Sequence, residues 1–100
     1  TDGKINFKES SEVILRKFNA YKSWPGLYFL HNNVNIKVHE MYIDSNAYKD
    51  LPGSLVKFNR EGIVIKTTNS AIVITHIQFP NKKTISSADA FNSYLDFFTN

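Results

Sequence analysis

The stretch LYFLHNNVNIKVHEMYI, residues 27–43, carries the reading that decides the fold. Residues 27–31 and 34–43 are rich in β-branched and aromatic side chains, the types that suit a pleated, half-buried surface. Between them stand Asn32 and Asn33, which tolerate the positive φ angles that a tight two-residue hairpin turn requires. Val34, Ile36 and Val38 alternate with polar residues and so share one face of a strand. The apolar phase then slips by one, to Met41 and Ile43. One extra residue near His39-Glu40 accounts for the slip, so the spacing predicts a β-bulge there.

The same grammar continues downstream. Residues 44–53, DSNAYKDLPG, form a turn-rich loop ending in Leu51-Pro52-Gly53. Three further strands are predicted over residues 54–58, 62–68 and 71–79, separated by Asn59-Arg60-Glu61 and by Asn69-Ser70. Upstream, residues 10–22, SSEVILRKFNAYK, read as a helix. Ser10 or Ser11 caps it, Glu12 lies in its first turn, and Ile14, Phe18 and Tyr21 recur at helical spacing. Ser23-Trp24-Pro25-Gly26 ends it, because proline lacks the donor a helix needs and pushes Trp24 out of the helical region. At the other end, residues 80–84, PNKKT, connect to a second helix near 86–98. There Ser86 and Asp89 stand as cap and N3, and Ala90, Phe91, Tyr94, Leu95 and Phe98 make an apolar stripe. About five or six short strands with a helix at each end predict a mostly β fold, a small antiparallel, open Greek-key barrel of the oligonucleotide-binding (OB) type. No repeat or linker divides the chain, so residues 1–100 read as a single domain.

Composition narrows the function classes. A chain of 100 residues with 42% hydrophobic and 14% aromatic residues has the material for one core and is not a disordered tail. It has no cysteine, which excludes disulfides, thiolate metal sites and a cysteine nucleophile and fits a reducing cytoplasm. No apolar run approaches the roughly 20 residues that span a bilayer, so no membrane partner is expected. Thr1-Asp2-Gly3-Lys4 has no signal-peptide shape, and the lack of an initiator Met reads as trimming. Twelve Lys and Arg against seven acids give residues 1–88 a net +5, whereas residues 89–100 carry Asp89 and Asp96 and no base. A basic body of this kind favours a polyanion partner, though solvated surface charge produces the same imbalance.

Residues for independent catalysis are not assembled. His31, His39 and His76 lie in three different strand segments, without helical spacing or a paired carboxylate, so no metal site is expected. The serines occupy caps and turns, none within a Gly-x-Ser-x-Gly elbow. Glu9 and Glu12 form the one close acidic pair, at a helix entry where the dipole favours negative charge. Four glycines cannot build a phosphate-cradling loop. No catalytic and no cofactor-binding residue can be named.

Three segments, in order, resemble the formyltransferase C-terminal domain found in methionyl-tRNA formyltransferases. Residues 19–26, NAYKSWPG, are similar to that family's Arg-Ala-Phe-x-Pro-Trp-Pro-Gly, with Trp24-Pro25-Gly26 the specific part. Leu51-Pro52-Gly53-Ser54-Leu55-Val56 resembles a Pro-Gly-x-Ile turn, followed by Gly62-Ile63-Val64-Ile65 in place of Gly-Ile-x-Val. Ile77-Gln78-Phe79-Pro80-Asn81-Lys82-Lys83 is similar to Leu-Gln-x-x-Gly-Lys-Lys, followed by the closing helix with Phe91. The match runs from about Ile5 to Phe98. Two positions depart from it: Asn19 stands for the family's Arg, with Arg16 or Lys22 as candidate replacements, and Asn81 for its Gly. Asn81 is the milder change, because Asn accepts left-handed backbone.

The resemblance implies an OB-like domain that helps hold initiator tRNA near its acceptor arm. A separate N-terminal domain, absent here, would transfer the formyl group from 10-formyltetrahydrofolate, so this piece needs no cofactor of its own and the parent is cytoplasmic. Candidate phosphate contacts are Lys82 and Lys83 on the connection before the second helix. Lys37, Lys57 and Lys66 on the strands, with Arg60 in a turn, form a second group; Lys37 and Lys66 are expected to point away from the apolar faces. Arg16, Lys17 and Lys22 lie on the first helix. Each has a plain alternative as solvated charge. Trp24 reads as a core anchor more readily than as a stacking platform, and so do Phe79 and Tyr28. Three rival readings stay open: the barrel of a sugar-nucleotide N-formyltransferase, a protein-interaction module, and a general single-strand binder.

Overall fold

Ser10 begins the ordered helix by accepting a hydrogen bond from the Val13 amide on its hydroxyl at 3.1 Å. In the computed structural model, which describes residues 3–23 and 26–99, the elements run α1 (Ser11–Tyr21), β1 (Leu27–His31), β2 (Val34–Asp44), β3 (Leu55–Asn59), β4 (Gly62–Lys66), β5 (Ala71–Gln78), β6 (Thr84–Ser86) and α2 (Ser87–Thr99). The helix stop and core anchor expected at Trp24-Pro25 lie outside the described residues.

The β1–β2 hairpin forms as its sequence dictates. Asn32 and Asn33 have φ of 50° and 64°, the left-handed pair that matches the twist of the flanking strands. Register along β2 shifts on either side of Glu40, so a bulge sits where the apolar phase slips. Ile36 and Val38 before it, and Met41 after it, are all buried. The strands order as β1-β2-β5-β4-β3. All the ladders are antiparallel, and the placement of β2 beside β5, next to the β3-β4-β5 meander, is a Greek-key arrangement. Inner rows cross the sheet through Met41, Ile74, Ile63 and Phe58, and through Ile43, Ile72, Ile65 and Leu55. Ile14 and Phe18 of α1 complete this core.

The barrel is not closed. Among the described residues β1 and β3 form no ladder with each other; a cleft of about 300 Å³ lies between them, lined by Phe29, Leu30, Leu55 and Ile65 among others. Gly3 to Ile5 run along part of the β1 edge, through the bonds from the Ile5 amide to the Tyr28 carbonyl at 2.9 Å and from the Tyr28 amide to the Gly3 carbonyl at 2.8 Å.

Two expectations change. The connection after β5 contains a short strand, β6, which pairs with the far end of β5 through Ile77–Ile85 and its neighbours, while α2 starts at Ser87, close to where it is expected. Ser86 still caps it, accepting from the Asp89 amide at 3.2 Å. Within α2, Tyr94 has non-helical angles of φ −130° and ψ 24° and stacks on Phe79 at 4.3 Å. This break rotates the last turn, so Phe97 and Phe98 pack inward while Leu95, expected on the apolar stripe, faces solvent. The Phe97 carbonyl accepts from His31 Nε2 and Asn32 Nδ2, which fastens α2 to the first hairpin.

Candidate nucleic-acid interface

Cross-strand partners point to the same side of a sheet, so the register also defines the outer rows. One runs Tyr28, Lys37, Gln78, Thr84 across four strands. Lys82 and Lys83 stand at its end, both exposed, on the turn that joins β5 to β6. That turn is shaped by Asn81 in left-handed backbone (φ 62°) and by the Lys82 amide donating to the Phe79 carbonyl at 3.2 Å. Asn81 thus fills a position that suits glycine, for the reason its chemistry predicts.

Lys37 lies across Gly26. A Cβ on Gly26 would come within 2.6 Å of Lys37 Cε, and its φ of +86° independently favours glycine. The Gly26 amide donates to the Tyr21 carbonyl at 2.7 Å, which brings the Lys37 chain beside the end of α1, where Lys22 is the C-cap residue. Register and turn thus bring Lys37 and the Lys82-Lys83 turn to either side of Gln78 although they are far apart in sequence, while the Lys22 ammonium lies 6.0 Å from the Phe18 ring centre. Arg16 is exposed on α1, as is Asn19. Lys17 is held by Glu9 at 2.8 Å.

The other candidates separate from this group. Arg60 sits in the β3–β4 turn with its guanidinium 5.7 Å from the Phe91 ring centre, and its carbonyl accepts from Ser87 Oγ at 3.0 Å. Lys57 belongs to a second outer row with Val64, Val73 and Tyr42. It lies near Asp44, whose carboxyl is held below the usual aspartate range first by the Tyr48 hydroxyl, then by the Asn46 amide, and to a smaller degree by Lys57.

Lys66 corrects an expectation. It does point away from Ile63 and Ile65, but the outer face is covered at that end by Tyr48 and Val56 packing on Val64, Ala71 and Val73. Lys66 is only 6% exposed, and its ammonium turns back onto the carbonyls of Thr67 and Thr68. Its donors are committed inside the fold.

Sequence reading missed the side chains that organise the site. In the sequence Gln78 is one letter of a motif, and His39 is one of three histidines in separate strand segments. In the structure Gln78 Oε1 accepts from His39 Nε2 at 2.8 Å while Gln78 Nε2 donates to the Lys82 carbonyl at 2.7 Å. Among the described residues no group of three or more His, Asp or Glu is placed to hold a metal, and no helix is long and apolar enough to cross a membrane.

An open, six-stranded antiparallel barrel-like sheet flanked by two helices, with Lys37 on an outer row that ends at the exposed Lys82-Lys83 turn, is the class of domain these features define. The family model for the formyl transferase C-terminal domain matches residues 1–95, and the chain belongs to that family. It is 38% identical over 90 residues to a methionyl-tRNA formyltransferase of Finegoldia magna, covering 90% of this chain and 29% of that protein. A methionyl-tRNA formyltransferase of Sulfurihydrogenibium sp. is 35% identical over 95 residues, covering 94% and 30%. The chain thus spans less than a third of the length of these relatives. Among solved structures, HypX from Aquifex aeolicus superposes with a TM-score of 0.74 at 21% identity, covering 93% of this chain and 17% of HypX. HypX in complex with tetrahydrofolic acid superposes equally well. At that identity the likeness speaks for the fold alone.

Proposed function

We propose that this chain is the tRNA-side C-terminal domain of a methionyl-tRNA formyltransferase. In this reading Lys82 and Lys83, together with Lys37 and Lys22, grip phosphates of initiator tRNA near its acceptor arm. The formyl group passes from 10-formyltetrahydrofolate in another part of the longer protein, and this domain contributes orientation, without a catalytic residue or cofactor of its own. The observation that carries the reading is the identity to two relatives named for this activity along nearly the whole chain. The exposure of the Lys82-Lys83 turn at the end of the row that holds Lys37 supports it. A folded RNA presents its backbone more readily than its base edges, so ammonium groups on a rigid turn suit it better than stacking aromatics. Arg60, Lys57 and Arg16 serve as outlying contacts, and Lys66 is left out because its ammonium is internal.

The test is a titration of this chain with initiator tRNA, an unrelated RNA stem and a single-stranded oligonucleotide over a salt series, beside Lys82→Ala/Lys83→Ala. Binding of folded RNA should weaken steeply with salt, and the double variant should reduce the log–log slope by up to about two, near one for each phosphate no longer neutralised. Absence of salt-sensitive RNA binding at low ionic strength would refute the docking reading and favour the small-molecule formyltransferase barrel.

A further inference from the structure

One uncharged residue, Gln78, stands between Lys37 and the Lys82-Lys83 turn. Gln78 ends β5 and is the cross-strand partner of Lys37 on β2. Its carboxamide leaves the ladder and makes two bonds, one to His39 in the β2 bulge and one to the backbone of Lys82. The chemistry of the partners fixes its orientation. A carbonyl only accepts, so the amide NH₂ must face Lys82 and the amide oxygen must face His39, which then carries a proton on Nε2. The bridge is therefore asymmetric and needs all three groups.

The turn it supports is held at its base by the Gln78–Thr84 pair and by Phe79, buried and stacked on Tyr94, and beyond that base it has few ties. Residues 80–83 are all exposed, and the Lys82 amide bond to Phe79 closes the turn on itself without anchoring it to the sheet. Gln78 supplies the tie to the neighbouring strand. Removing it leaves the turn free to shift relative to Lys37, even though β5 and β6 stay paired through Ile77–Ile85.

We infer that Gln78 is a positioning residue that holds the Lys82-Lys83 turn at a fixed offset from Lys37, so that both meet the RNA backbone as one preorganised contact; this rests on the tRNA-docking reading. Two lysines on a wandering turn still attract RNA, but each contact must then be ordered at the moment of binding. Preorganisation removes that cost. The bulge has a second use in this arrangement: besides restoring the apolar phase of β2, it turns His39 towards β5, where it keeps the Gln78 amide from rotating.

The experiment compares Gln78→Met, which keeps length and volume but loses both bonds, His39→Phe, which loses one, and Lys82→Ala/Lys83→Ala, alone and combined with Gln78→Met. Readouts are thermal melting, amide hydrogen exchange at Lys82 and Lys83, and tRNA affinity over a salt series. Gln78→Met should speed exchange at Lys82, whose amide closes the turn, with little change in melting. It should weaken tRNA binding by roughly 3- to 10-fold, the scale of one or two missing hydrogen bonds. On the Lys82→Ala/Lys83→Ala background it should add almost nothing, since there is no lysine pair left to position. His39→Phe should fall between. If Gln78→Met leaves exchange and affinity unchanged while the double lysine variant weakens binding, or if it weakens binding equally on both backgrounds, Gln78 does not position the turn and the docking reading survives. If the double lysine variant itself binds as the parent does, both fail.

Discussion

Replacing Ser11 by alanine removes one oxygen from the most enclosed polar site in the fold. Ser11 is fully buried, and its hydroxyl lies 2.7 Å from Thr67 Oγ1, 2.6 Å from Ser70 Oγ and 3.2 Å from the Ala71 carbonyl. A hydroxyl donates once and accepts twice, so this oxygen can satisfy all three. After substitution Thr67 Oγ1 keeps the Ser70 amide at 3.1 Å, but Ser70 Oγ, buried as well, loses its side-chain partner. The Ser11 amide still reaches Asn69 Oδ1 at 3.0 Å, so the helix end remains docked. Each missing bond contributes about 0.5–1.5 kcal/mol and a stranded buried hydroxyl costs about 1–3 kcal/mol, so a destabilisation of about 2–3 kcal/mol is expected. For a domain of this size that lowers the melting temperature by roughly 10–20 °C. Urea denaturation followed by circular dichroism measures it. Ser11→Ala/Ser70→Ala removes the stranded group too, so its loss should fall short of the sum of the single losses by about 1 kcal/mol. A single-variant loss under about 0.5 kcal/mol, or strict additivity, would refute the assigned network.

Gly62→Ala should be among the costliest small changes, because the new Cβ would sit 2.2 Å from Val73 Cγ1. A loss of about 2–3 kcal/mol in urea denaturation is expected, with partial rescue by Val73→Ala. Lys66→Met should alter stability but leave tRNA affinity and its salt slope unchanged; a reduced slope would place Lys66 back among the phosphate contacts. The depressed titration of Asp44 contributes stability at neutral pH that is lost as pH falls from the usual aspartate value, about 3.9, through the lower native one. Tyr48→Phe should move the native Asp44 titration upward and narrow that window, as read from its carboxyl resonance; an unmoved titration would show that the 2.6 Å Tyr48–Asp44 bond is not its main cause.

What could be read in the sequence was local. The left-handed pair Asn32-Asn33, the slipped phase at His39-Glu40, the cap at Ser10 and the left-handed Asn81 each express a preference of a few adjacent residues, and each has its place in the structure. The misses come from pairing, from cover by distant residues and from a break inside a helix. Thr84 to Ser86 form a strand because the end of β5 extends beyond β4 and offers a free ladder, which the letters of PNKKT cannot reveal. Lys66 alternates correctly yet ends inside, because the cover over its face comes from residues 48 and 56. Leu95 and Phe97 exchange roles because of a break at Tyr94 that a regular helical period does not contain. At the candidate site the charged residues were legible one by one. Their grouping was not, since it depends on the register that sets Lys37 beside Gln78 and on a carboxamide bridging to a bulge.

The docking of α1 also sets an order of events. Its partners Thr67, Ser70 and Ala71 lie 56 to 60 positions further along the chain than Ser11. On a ribosome adding roughly 5–20 residues per second, the helix leaves the tunnel several seconds before the hairpin that receives it. Until it arrives the buried bonds of Ser11 cannot form, and closing so long a loop is what makes such contacts late. The nascent domain therefore passes through a stage in which the start of its first helix is not yet fastened, and the β4–β5 turn is the segment whose arrival ends it.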